Sequence, residues 1–175
     1  PFGLLQPIAD ALKLLTKEDI LPARTDKATY WAAPLVVFVP AFVIWVSIPF
    51  TRDIAIRNME MGVFFIIAVS VVSIVGFIMA GWGSFNKYAM LGAVRAAAQL
   101  ISYELPLIVV VLAVVMMAQS TDLKVIVAKQ DTVWFVLLQP LAFTIFLLAG
   151  LAEVGRAPFD IPFAESEVIG GPFVE

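Results

Sequence analysis

Four long apolar runs, at residues 28–51, 61–86, 96–118 and 132–152, divide the chain, with short polar stretches between them. A helix needs roughly 20 mostly apolar residues to cross a bilayer. Each run is long enough; three carry no charge, and the third carries a single acid, Glu104. Hydrocarbon offers the backbone no hydrogen-bond partners, so all four are predicted as transmembrane helices. The pattern differs at 7–17, where Ile8, Ala11, Leu12 and Leu15 recur at helical spacing while Asp10, Lys13 and Lys17 point elsewhere. That segment is too short and too charged to span, and Pro7 suits a helix start. It is predicted as an amphipathic helix on the membrane surface, although a helix packed on a neighbouring protein would show the same pattern. The expected fold is an all-α membrane protein in one membrane domain. It has about four transmembrane helices, an N-terminal surface helix and a long acidic cytoplasmic loop at 153–175.

Composition supports lipid as the solvent. The chain is 62% hydrophobic and 14% charged, and its mean hydropathy is +0.99. A soluble domain is typically about half apolar and a quarter charged. With no Cys and no His, the sequence lacks disulfides, thiolate or imidazole metal ligands and the usual nucleophilic triads. A net charge of −3 without a basic run gives no footprint for nucleic acid. The segments before 28, at 82–95 and after 153 carry Lys13, Lys17, Arg24, Lys27, Lys87, Arg95 and Arg156, against Arg52, Arg57, Lys124 and Lys129 on the other side. This excess places the first side in the cytoplasm or matrix. Trp31, Trp82 and Trp134 fall near run ends, as interfacial aromatics do. Pro34, Pro40 and Pro140 interrupt runs, a common feature of membrane helices. No internal repeat suggests the inverted halves of many transporters. The chain opens on Pro1 without a signal segment and is expected to be an internal fragment.

Two stretches carry candidate chemistry. In "RAAAQLISYELPL" an acid, Glu104, lies about a third of the way into its run, followed by Pro106. Proline withholds an N–H from the carbonyl four residues back, so a kink is expected beside the acid. Intramembrane acids usually line pathways. The other stretch is "LAEVGRAPFDIPFAESEVIGGPFVE", where Glu153, Asp160, Glu165, Glu167 and Glu175 alternate with Phe, Ile and Val. A solvated acidic tail does not need those apolar residues. The interleaving suits irregular backbone folded into a crevice, its apolar side chains against helices and its acids lining a polar cavity.

These two stretches, with "GLLQPIADALKLLTKEDILP", resemble the family of the H subunit of bacterial NADH:quinone oxidoreductase (respiratory complex I), which includes mitochondrial subunit 1. The three blocks occur in family order and spacing across nearly the whole chain. Related subunits serve hydrogenases and deazaflavin dehydrogenases. Family members have eight spans, so the resemblance implies a fragment lacking the first span and the last three. It implies a subunit of a proton-pumping NAD(P)H:quinone oxidoreductase that forms the quinone channel but is not catalytic alone. Gln6, Asp10, Arg156, Phe159 and Asp160 would contact quinone. Arg95, Glu104, Glu153, Glu165, Glu167 and Glu175 would couple its reduction to proton translocation. No cofactor or metal would be bound by this chain; quinone is the substrate, with flavin and iron–sulfur clusters in partner subunits. Expected partners are the peripheral-arm subunits, small and antiporter-like membrane subunits, quinone and lipid. The expected location is a prokaryotic plasma membrane, or else an organelle inner membrane. The resemblance leaves open a membrane anchor for a related hydrogenase or deazaflavin dehydrogenase and, less favoured, an independent ion transporter. Two departures stand out: Phe163 occupies a position where the family usually has Glu, and "EVGR" replaces the commoner E-T-N-R.

Overall fold

The structure is a computed structural model describing residues 5–17 (Leu14 by its backbone alone), 21, 24–51, 54–155 and 158–159. It is all-helical over these residues. Helix α1 spans Gln6–Leu15, with Pro7 in its first turn and Thr16 closing it through Oγ1, which donates to the Leu12 carbonyl at 2.9 Å. Ile8, Leu12 and Leu15 stay exposed. The apolar stripe read from the sequence is therefore present and uncovered.

Helix α2 (Lys27–Val43) starts at Asp26, whose carboxylate accepts from Ala28 N and, at 2.7 Å, from Thr29 Oγ1. That cap satisfies donors a helix start leaves orphaned. The helix carries Pro34 and Pro40 and tightens into a 3₁₀ turn, Ile44–Val46. Helix α3 (Gly62–Gly83) packs against it through small residues. A Cβ on Gly76 would meet Val37 N at 3.0 Å and the Ala33 carbonyl at 3.1 Å, so the two backbones approach as only glycine permits.

A tight turn follows. Phe85 takes a left-handed conformation (φ 52°), and Asn86 caps the next helix by accepting from Tyr88 N at 3.0 Å. Helix α4 runs from Lys87 to Ala118, beginning nine residues before the apolar run that predicted it. The residues between, including the alanine-rich stretch around Arg95, are good helix formers with little hydropathy, which a window tuned to apolar residues overlooks. The helix continues unbroken through Pro106, where a kink is expected from the sequence. The early start matters for Glu104: it sits ~26 Å along the helix, not near its entrance.

The far side holds a short helix α5 (Leu123–Ala128), in a stretch whose pattern predicts only a loop. Val63, Ala118 and Ile126 form a small core there, with Ile67, Val111, Leu123 and Phe135 packed on it. The fourth apolar run is split into α6 (Phe135–Leu138) and α7 (Pro140–Glu153). Gln139, between them, has φ −131° and ψ 62°. Steric crowding by a proline ring disfavours helical geometry in the preceding residue, which accounts for the break. Helices α2, α3 and α4 are long and apolar enough to cross a membrane, while α7 is a shorter apolar helix. Trp31, Trp82 and Trp134 all project from the protein, as interfacial anchors would.

Candidate functional site

Glu104 is 9% exposed, one of very few buried polar side chains among the described residues. Its Oε1 lies 3.0 Å from Ser70 Oγ across the α3–α4 contact. Carboxylates in apolar surroundings need such partners, because an unpaired buried charge is costly. On the other side, α7 packs antiparallel along α4 and carries Glu153, an exposed side chain, at its end. Two acids read separately from the sequence thus sit on helices packed together.

Gln99 fixes the end of α7 at this level. Its Nε2 donates to the Ala152 carbonyl at 3.2 Å and to the Phe159 carbonyl at 2.8 Å. The Tyr103 ring meets Phe159 edge-on with centroids 5.4 Å apart. Gln99 is ~18 Å along α4 from Lys87, so the chain leaving α7 returns against the helix body instead of departing from it. Phe159, one of the apolar residues of the acidic stretch, thus packs on α4. The remaining loop candidates, Arg156, Asp160, Glu165, Glu167 and Glu175, lie outside the described residues, as does Phe163.

The other described candidates are Gln6, Asp10 and Arg95. Gln6 and Asp10 are exposed neighbours on α1, Gln6 Nε2 donating to Asp10 Oδ1 at 3.2 Å. Arg95 is exposed on α4, two and a half helical turns before Glu104. Gln99 is legible in the sequence as a polar position near the start of its apolar run, whereas Ser70 is not singled out by the pattern. The available signal for Ser70 is its polarity within a largely apolar helix. Among the described residues no cluster of His, Cys, Asp and Glu could hold a metal ion.

An apolar cavity of about 320 Å³ lies towards the far end, between Val110, Val114, Leu123, Phe135 and Phe143. Gln139 borders it, and the Gln139 Oε1 atom is buried without a hydrogen-bond partner. This cavity is separate from the Glu104 junction.

Long apolar helices, with a carboxylate buried where two of them pack, define an all-helical protein of the membrane class. The NADH dehydrogenase family matches residues 1–175, and the chain belongs to it. It is 52% identical to the H subunit of NADH-quinone oxidoreductase from Dehalococcoides mccartyi (strain CBDB1), covering 98% of this chain and 48% of that protein. It is 51% identical to the subunit of that name from Geobacillus kaustophilus (strain HTA426) and 47% to that from Bacillus thuringiensis (strain Al Hakam), in each case over 99% of this chain and 52% of the relative. The chain spans about half the length of the curated relatives it matches.

Proposed function

We propose that this chain forms the quinone-facing and proton-coupling part of a proton-pumping NAD(P)H:quinone oxidoreductase, within a bacterial plasma membrane. The observation that carries the reading is that α4 bears both the buried Glu104 and the Gln99 and Tyr103 that hold Phe159, with Glu153 at the end of the helix packed beside it. The relatives' names favour quinone chemistry over a hydrogenase or deazaflavin anchor, and over an independent transporter.

Quinone would enter past α1, with Gln6 and Asp10 at the entrance, and bind near Arg156, Phe159 and Asp160. Electrons would come from flavin and iron–sulfur clusters held by peripheral-arm partners. Negative charge arriving on quinone raises the proton affinity of nearby carboxylates where the dielectric is low. Glu153 and Glu104 would take up that change, with Glu165, Glu167 and Glu175 continuing the acid chain towards neighbouring membrane subunits. Arg95 would supply a cation beside it.

Asp160→Asn and Arg156→Gln in the complete complex test the quinone end. NADH:quinone reductase activity is expected to fall about tenfold, corresponding to loss of one charge-assisted hydrogen bond of ~1.5 kcal/mol. Electron transfer to a water-soluble acceptor, which bypasses quinone, should persist. Full quinone activity in an assembled variant would remove these residues from the site.

A further inference from the structure

Beyond the carboxylates, the junction contains a hydroxyl whose geometry cannot be satisfied in only one way. Ser70 Oγ lies 2.8 Å from the Ile67 carbonyl and 3.0 Å from Glu104 Oε1. A serine hydroxyl carries one proton and can also accept. It therefore cannot donate fully to both oxygens at once. We infer that Ser70 is a positioning residue whose hydroxyl reverses direction with the proton on Glu104, an inference that rests on the coupling role proposed for that acid.

The two arrangements balance. When Glu104 is ionised, the Ser70 proton turns to Oε1 and the carboxylate gains a donor. When Glu104 is protonated, its own proton is donated to Ser70 Oγ, and the Ser70 proton turns to the Ile67 carbonyl. The contact between Ser70 Oγ and Glu104 Oε1 is kept in both states, with one proton between the two atoms each time. Ile67 lies within α3, so its carbonyl keeps its helical N–H partner when the hydroxyl swings away. The switch accordingly needs only rotation about one side-chain bond.

Among the described residues, the groups around Glu104 can be named element by element. Helix α3 contributes no charged side chain between Gly62 and Gly83. From α7 the facing titratable group is Glu153, a carboxyl that has no N–H to offer. On α4 itself, Tyr103 is engaged with Phe159, and Arg95 lies nine residues away. Ser73 offers an internal comparison: its Oγ donates to the Ser70 carbonyl at 2.7 Å, the ordinary habit of serine in a helix.

The test is infrared difference spectroscopy of the complete complex in membranes, comparing quinone-oxidised with quinone-reduced enzyme. Glu104 is assigned by the carboxyl band that Glu104→Gln abolishes. Ser70→Ala and Ser70→Val should displace that band, whereas Ser70→Thr restores its position and Ser73→Ala leaves it in place. Quinone reductase turnover should fall about three- to tenfold in the two variants lacking a hydroxyl, the scale of a lost hydrogen bond to an ionised group. A Glu104 band unmoved in Ser70→Ala and Ser70→Val would overturn the hydroxyl switch while leaving Glu104 in the coupling chain. Absence of any Glu104 band in the unaltered complex would overturn both.

Discussion

Glu104 could be picked out of the sequence because it is the single charge in its apolar run, and the structure buries it. Its partner could not. Serines and threonines in membrane helices commonly return their hydroxyl to a carbonyl of the preceding turn, as Ser73, Ser102 and Thr144 do here. Nothing local distinguishes Ser70, which reaches a residue 34 positions away. Phe159 was legible from its place among acids, but its contact with Tyr103 depends on where α7 ends. At this scale the expected outcome is specific: Glu104→Gln retains a hydrogen-bonding side chain, so the complex should assemble, yet lose proton pumping measured by a pH-sensitive dye in vesicles. Pumping at the normal proton-to-electron ratio would take Glu104 out of the coupling path.

Among the elements, hydropathy located the bodies of α2 and α3 well and misjudged what lies beyond the apolar stretches. The first turns of α4 are helical by propensity and capping, with Asn86 fixing their start, and carry too little hydropathy to register. Proline acted differently in two places. Pro106 is accommodated within α4, whereas Pro140 separates α6 from α7. Replacing it as Pro140→Ala returns an N–H and relieves Gln139, so amide hydrogen exchange across 136–141 should slow markedly; unchanged exchange would show that the break has another cause. The close helix contacts give a contrasting prediction. A side chain on Gly81 would meet the Ala89 carbonyl at 2.8 Å as well as the Ala93 methyl. Gly81→Val should destabilise the α3–α4 pair by ~1–3 kcal/mol, read as a lower unfolding midpoint in detergent.

For the molecule as a whole, sequence periodicity distinguished the short amphipathic helix α1 from the long apolar ones, and α1 keeps Ile8, Leu12 and Leu15 exposed. These 175 residues contain no Cys, so single thiols introduced among them can map topology. Lys17→Cys and Lys124→Cys should react with an impermeant maleimide from opposite faces of the membrane, Lys17→Cys from the cytoplasmic side. Labelling of both from one face would overturn the assigned orientation. Length alone could not reveal that the fourth run folds as two helices or that its end turns back inward. That turn has a mechanical meaning. One amide nitrogen, on Gln99, holds the backbone at both Ala152 and Phe159, making a short stretch of chain into a loop fastened at a single point. Releasing it would part Phe159 from α4 while α7 keeps Ala152, so a shift of α4 at Gln99 would reach Phe159 through that single amide.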